Sequence, residues 1–291
     1  MEQLIAKASG MIEALPFIQR FRNETVVVKF GGSILDDEAA CASILQDVAF
    51  MEIVGLRPVL VHGGGKAISR RMAELHLEPK FVQGLRVTDE AAMVVVENSL
   101  NQEVNPHLVK QLRKIGCRSM SIYGQTILTA SRRTGTDPDT GETLDWGYVG
   151  EVTCVDTAPL LECTSAQSVP VITPLALGAD GHTYNINADE AAAAIAASLP
   201  ARKLVYLSDV PGLLKNPNDS SSLISHVNAG DVEQLVRDGI IGGGMIPKIR
   251  SAVQTLEAGV NKVHIVDAGM RHSLLLELFT EQGVGTEIVK S

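Results

Sequence analysis

The run Val26-Val27-Val28-Lys29-Phe30-Gly31-Gly32-Ser33 constrains this chain more than any other stretch. Successive β-branched residues read as a buried strand. The strand stops at two glycines, which let backbone N–H groups turn toward an anion with no Cβ in the way. Lys29 adds a point charge suited to phosphate. The pattern returns as Val59-Leu60-Val61-His62-Gly63-Gly64-Gly65-Lys66. Two strands, each ending in a glycine turn ahead of a helix-like stretch, point to one anion site at the carboxyl edge of a parallel sheet. A third turn, Gly242-Gly243-Gly244-Met245-Ile246-Pro247-Lys248, again joins glycines to a lysine. Pro247 is expected at the first helical position and Lys248 in the first turn, where free N–H groups also favour anions.

Before the first strand, Leu4, Ile5, Ala8, Met11, Ile12 and Leu15 recur at helical spacing as one apolar stripe. Pro16 should kink or end that helix. The stripe must dock on its own domain or on another subunit. Further strands are expected at 25–30, 58–62, 119–122, 126–130, 150–155, 169–174, 203–207, 263–266 and 285–289. Helices are expected from Asp37, Ala67, Asp89, Asn101, Ala188, Val232, Pro247 and Ser273, with Asp36 or Asp37 and Thr88 or Asp89 as N-caps. The alternation makes this an α/β three-layer sandwich with a mainly parallel central sheet. The β-rich middle adds a β-hairpin lid, with polar residues 134–147 as its tip or loop.

Arg86 falls in what reads as an irregular stretch, either as a planar fork matching a carboxylate or as a solvated surface side chain. Asn185, Asn187 and Asp189 precede an alanine-rich helix and exceed what one N-cap needs. The surplus is a candidate ligand-facing set.

Several function classes fall away. The turns fit neither Gly-x-x-x-x-Gly-Lys-Ser/Thr nor Gly-x-Gly-x-x-Gly, which disfavours a P-loop NTPase and a dinucleotide-binding oxidoreductase. The elbow Gly-x-Ser-x-Gly is missing. A net charge of −9 without a basic run argues against nucleic acid. No stretch of eighteen apolar residues suggests a membrane span, and no leader pattern follows Met1, so a cytoplasmic protein is expected. Cys41, Cys117, Cys154 and Cys163 lack metal-ligand spacing, so no protein-held metal is expected.

The motifs Lys29-Phe-Gly-Gly-Ser33, His62-Gly-Gly-Gly65, Gly84-Leu-Arg-Val-Thr-Asp89, Tyr148-Val-Gly-Glu-Val152, Tyr184-Asn-Ile-Asn-Ala-Asp189, Leu207-Ser-Asp-Val210, Gly243-Gly-Met-Ile-Pro-Lys248 and His272-Ser-Leu-Leu-Leu-Glu277 occur in one order. In that order the chain resembles the acetylglutamate kinases of the amino acid kinase family, from about residue 25 to the end. The resemblance implies ATP-dependent phosphorylation of the side-chain carboxylate of N-acetyl-L-glutamate, in arginine synthesis. It implies that Lys29 and Lys248 stabilise the transferring phosphoryl group and that Asp189 holds both. Gly64 and Gly65 would offer backbone donors to the substrate, Arg86 would clamp its α-carboxylate, and Asn185 would contact it further. Gly31, Gly32, Ser208, Asp209, Gly212, Leu213, Ile241 and Gly242 would form the nucleotide site, with Mg2+ held mainly by the phosphates of ATP. Residues 1–22 would be an oligomerisation helix, 23–183 the acetylglutamate lobe and 184–291 the ATP lobe. Relatives bearing such a helix form hexamers, trimers of dimers, that arginine inhibits. Lys203, His264, Glu277 and Gly283 would line the arginine site. A nitrogen-signalling regulator is a further possible partner.

The chain departs from the family pattern at Met120–Gln125, at Asp267–Arg271 and at Pro106. These leave substrate-lid detail and regulation open, while the two lysines and Asp189 are intact. Alternatives are a kinase for an acetylated or carrier-bound aminoadipate and a non-catalytic arginine sensor, the latter disfavoured by the intact Lys29, Asp189 and Lys248.

Overall fold

A computed structural model of the chain describes residues 1–137, 141–216, 218–243 and 245–290, with backbone alone at 2–4, 6, 7, 33, 220 and 247. Gly244 of the third turn, and the side chains of Leu4, Ser33 and Pro247, lie outside the described residues.

The first half runs α1 (Glu2–Phe21), β1 (Thr25–Phe30), α2 (Glu38–Ile53), β2 (Arg57–His62), α3 (Gly65–Glu74), β3 (Lys80–Val82), β4 (Leu85–Val87), α4 (Glu90–Asn98), α5 (Asn105–Lys114) and β5 (Ser119–Ile122). Then come β6 (Leu128–Thr136), β7 (Thr143–Val155), α6 (Ala158–Ser165), β8 (Val169–Ile172), β9 (Leu175–Gly178), β10 (Thr183–Asn185), α7 (Ala188–Ser198) and β11 (Lys203–Ser208). The chain finishes with β12 (His226–Asn228), α8 (Val232–Arg237), α9 (Met245–Glu257), β13 (Lys262–Asp267), α10 (Ser273–Phe279) and β14 (Thr286–Val289). Side chains set several helix starts. Asp37 accepts the Ala39 and Ala40 N–H groups at 3.0 Å each, and Asp89 accepts that of Ala92 at 2.8 Å, so the second residue of each candidate pair is the cap.

Eight strands form the central sheet in the order β12-β14-β13-β11-β1-β2-β8-β5. Among these neighbours only β13 and β14 run antiparallel. Because side chains alternate across a strand, Val27, Val59, Leu204 and Tyr206 enter one core, with α6, α7 and α9. Val26, Val28, Leu60 and Val205 enter a second core on the opposite face, with α2, α5 and α10. The valines around Lys29 are buried on both sides for this reason. A separate barrel, β10-β7-β6-β9, stands beside the sheet.

The structure departs from the sequence reading at Pro247, at 134–147 and at Arg86. Helix α9 begins at Met245, so Pro247 is its third residue and not its first. Of the two outcomes expected at Pro16, a kink or an end, the end does not occur, and α1 continues to Phe21. Phe17, Ile18 and Phe21 pack on the second core and offset the backbone hydrogen bond that a proline removes. The expected tip at 134–147 is mostly strand, since β6 and β7 pair from Thr136–Thr143 onward through irregular register. Arg86 is not in an irregular stretch but in the hairpin β3–β4, turned by Gln83 and Gly84 at φ 50° and 80°. Positive φ at both central residues is the twist-compatible hairpin geometry.

Candidate active site

The first two glycine turns touch. The Gly63 N–H donates to the Phe30 carbonyl at 2.7 Å, and a Cβ on Gly31 would lie 3.2 Å from the Gly63 nitrogen. Beside them stands the start of α7, capped by Asn187, whose Oδ1 accepts the Asp189 and Glu190 N–H groups at 2.8 and 3.4 Å. That cap aims the Asp189 carboxylate at two cations. Its Oδ1 lies 2.8 Å from Lys29 Nζ and its Oδ2 2.7 Å from Lys248 Nζ. Burial pushes the Asp189 carboxyl up, and the two ammonium groups outweigh burial and hold it below its ordinary range. Strand β1 and helices α7 and α9 thus each supply one member of a +, −, + cluster. Its net positive charge suits an incoming anion.

A cavity of about 280 Å3 opens next to this cluster, and Lys29, Gly64, Gly65, Arg86, Asn185 and Asp189 all line it. The Arg86 guanidinium is buried, donating to Gly65 O at 3.1 Å and to Ser69 Oγ at 2.8 Å, with Met72 Sδ at 3.3 Å. The Phe81 ring covers it at 4.7 Å. All these partners are neutral, so the guanidinium is solvated by dipoles and retains its charge for a ligand. Burial lowers its proton affinity. Asn185 donates to Thr88 Oγ1 at 3.3 Å. The polar surplus before α7 thereby divides: Asn187 caps, Asp189 pairs the lysines, and Asn185 faces the cavity.

Sequence reasoning gave no role to the groups that hold these parts. His62 is fully buried behind the second turn. Its Nδ1 donates to Gly63 O at 2.8 Å, so Nε2 is the acceptor for Asn105 Nδ2 at 3.1 Å. Burial pulls the imidazole down to about 4, so it is neutral near pH 7. Leu100 closes the cavity floor, and a Cβ on Gly64 would come within 2.6 Å of its Cδ2. A buried histidine directly before a glycine turn was the available signal for the first pair.

Of the other nucleotide candidates, Gly31 and Gly32 lie at the turn after β1, and Ser208 ends β11 with Asp209 exposed beyond it. Gly212, at φ 140°, packs against Thr286. Leu213 and Ile241 side chains are in the first core, while Gly242 is exposed.

A second cavity, of about 660 Å3, lies between α1 and the segment after α10, and Lys203, His264, Glu277 and Gly283 all line it. Glu277 Oε1 accepts from His264 Nδ1 at 2.5 Å, and Oε2 accepts the Val284 and Gly285 N–H groups at 2.7 and 2.9 Å. Burial acts against its charge, but these donors hold the carboxyl below its ordinary range. Lys203 lies 5.0 Å over the Phe21 ring of α1, and burial pulls its ammonium down to about 8.

The sequence profile of the amino acid kinase family matches residues 24–267. The chain belongs to the amino acid kinase family. Within it, the acetylglutamate kinase of Akkermansia muciniphila is 45% identical over 289 residues, covering 99% of this chain and 97% of that protein. That of Symbiobacterium thermophilum is 44% identical over 291 residues, covering 99% of each. Among solved structures, the N-acetylglutamate synthase of Neisseria gonorrhoeae in complex with coenzyme A and N-acetyl-glutamate superposes with a TM-score of 0.84 at 31% identity. It matches over 98% of this chain, which spans 63% of the synthase chain. A Giardia lamblia carbamate kinase (TM-score 0.65, 15% identity, 92% of this chain and 99% of that one) shares the fold.

Proposed function

We propose that this kinase transfers the γ-phosphoryl group of ATP to the side-chain carboxylate of N-acetyl-L-glutamate. Curated acetylglutamate kinases matching it over nearly full length support the substrate. The observation that carries the chemistry is the Lys29–Asp189–Lys248 cluster at the edge of a cavity containing a buried arginine that has no carboxylate partner among the described residues.

The acceptor carboxylate is ionised at neutral pH and needs no general base. One of its oxygens forms the new O–P bond as the bond from the γ-phosphorus to the β,γ-bridging oxygen breaks, and ADP leaves with that electron pair. Two anions must meet, so catalysis is positioning plus charge neutralisation. Lys29 and Lys248 approach the transferring group from two sides, and Asp189 keeps their mutual repulsion from spreading them. Arg86 takes the α-carboxylate, with Gly64, Gly65 and Asn185 as further contacts. Gly31, Gly32, Ser208–Leu213 and Ile241–Gly242 border the nucleotide. Residues 23–183 serve acetylglutamate and residues 184–291 serve ATP. Among the described residues no group of three or more His, Cys, Asp or Glu side chains is placed to hold a metal. A Mg2+ ion carried on the ATP phosphates fits this donor set and supplies further charge neutralisation.

The same proposal includes feedback by arginine in the second cavity. Glu277 there uses three of its roughly four acceptor sites and keeps one for a guanidinium. Ile5, Met11, Ile12 and Leu15 are exposed on α1, which favours covering by a second copy and assembly into a hexamer. Among the described residues no helix is long and apolar enough to cross a membrane, which supports a cytoplasmic enzyme.

The test is ATP-dependent hydroxamate formation with N-acetylglutamate, in which hydroxylamine captures an acyl phosphate. Hydroxamate with acetylglutamate, and little with an acetylated aminoadipate, is expected. ATP turnover without a trapped acyl group would remove the carboxyl acceptor.

A further inference from the structure

Tyr206 lies at the centre of the catalytic cluster and has no part in the mechanism above. It is in register with Lys29 across the β1–β11 pair, so the two side chains leave the same face of the sheet as neighbours. The ring is fully buried, and Lys248 Nζ lies 5.0 Å from its centroid. The hydroxyl reaches the Asp189 carbonyl at 3.4 Å and Ser251 Oγ at 3.2 Å. Ser251 is three residues beyond Lys248 on α9, so one side chain spans all three elements of the cluster. Lys248 therefore has two supports: the Asp189 carboxylate on one side and the negative face of an aromatic ring on the other.

We infer that Tyr206 is a positioning residue for phosphoryl transfer, its ring face holding the Lys248 ammonium in place. The physical reason is the quadrupole of the ring. A cation over the face of a buried aromatic gains attraction that a surface pair loses to water. A carboxylate alone, with two lysines to serve, leaves each free to swing toward water. With the ring beneath it, Lys248 stays in reach of the γ-phosphoryl group before ATP arrives. Preorganised charge of this kind acts on the transition state more than on substrate binding. The hydroxyl contributes to the join between α7 and α9, which is a matter of stability. The ring and the hydroxyl therefore predict different readouts.

The experiment replaces Tyr206 in the full-length enzyme by Phe and by a series of mono-, di- and trifluorinated phenylalanines, with Tyr206→Leu alongside. Fluorine withdraws charge from the ring face while nearly keeping its shape. Tyr206→Phe is expected to keep kcat within about threefold of wild type. Kcat should then fall stepwise with each added fluorine, by about tenfold or more across the series, while KM for both substrates changes little. Tyr206→Leu, where it folds, should match or exceed that loss. A merely structural tyrosine would lower Tm without this dependence on ring charge. A flat fluorine series, or a fall confined to KM, would overturn the proposal even if Tyr206→Leu does not fold. The inference rests on the kinase reading. Wild-type enzyme that forms no acyl phosphate would remove both, whereas active wild type with a flat series removes only the role of Tyr206.

Discussion

Gly64→Ala replaces one hydrogen by a methyl group on the backbone that lines the proposed acetylglutamate cavity. The new Cβ would lie 2.6 Å from Leu100 Cδ2, and ordinary contact begins near 3.4 Å, so something must give by 0.8 Å. Leu100 is 1% exposed and packed in a small core with Ile68, Met72 and Val96, so it has little room to retreat. The turn moves instead. Overpacking of this kind costs about 1–3 kcal/mol of stability. Displacing a substrate-contacting backbone by nearly 1 Å costs roughly 100-fold in rate. We therefore expect kcat/KM for acetylglutamate to drop about 10- to 100-fold in the hydroxamate assay. KM for ATP should change far less. Leu100→Val removes the clashing Cδ atoms, so Gly64→Ala/Leu100→Val should regain at least part of the loss. A Gly64→Ala enzyme with wild-type kcat/KM and thermal stability would refute the close-approach argument. A double variant no better than the single would place the defect elsewhere than at Leu100.

Lys29→Ala and Lys248→Ala should each lower kcat by about 100-fold or more, since one contact made in the transition state is worth about 3–4 kcal/mol; wild-type kcat in either would remove that lysine. Arg86→Lys keeps charge but loses the fork, so KM for acetylglutamate should rise and KM for ATP stay level; an effect on ATP alone would put Arg86 on the other substrate. His62 is held at about 4 against an ordinary 6.5. The unfolded chain takes up that proton first, so this contribution to stability is complete above about pH 6.5. It is lost progressively as pH falls toward 4, by about 3 kcal/mol in all. Urea unfolding across that window should show a shallower slope for His62→Gln, and equal slopes would exclude the histidine. Deleting residues 1–20 should give active dimers with little arginine sensitivity, read by light scattering and an arginine titration; a truncated hexamer, or a dimeric full-length protein, would contradict the assembly proposed for α1.

What could be read from sequence follows a physical pattern. The β1 and β2 turns were legible because burial on both sheet faces leaves unbroken apolar runs, and glycines mark their ends. Lys29 and Lys248 were marked by their glycine turns and Asp189 by the polar surplus before α7, their shared role came from the resemblance, and the structure places the Asp189 carboxylate within 2.8 Å of each ammonium. The hairpin holding Arg86 was not legible, since three-residue strands carry too little alternation to register. Tyr206 was not singled out within the expected strand at 203–207, because nothing local marks a ring that faces an ammonium group from another element. His62 and Asn105, 43 residues apart, meet only through the sheet. The run of α1 past Pro16 depends on tertiary contacts of Phe17, Ile18 and Phe21, which outweigh local propensity.

The placement of β1 between β2 and β11 also governs the order in which the chain can fold as it is made. Val26–Lys29 finds its first partner in Pro58–Val61, close behind it in synthesis. Its second, Lys203–Tyr206, is 177 residues further along. At about 5–20 residues per second, the triple-valine edge waits roughly 10 to 35 seconds for that strand. During that interval it is an unpaired apolar edge, the kind of surface that draws chaperones or other chains. Lys29 is on that strand, Tyr206 arrives with the partner that covers it, and Lys248 follows 42 residues later. The proposed phosphoryl site therefore comes into being with the closing of the sheet, and a nascent chain halted before residue 203 holds two of its three charged members, Lys29 and Asp189, and lacks Lys248.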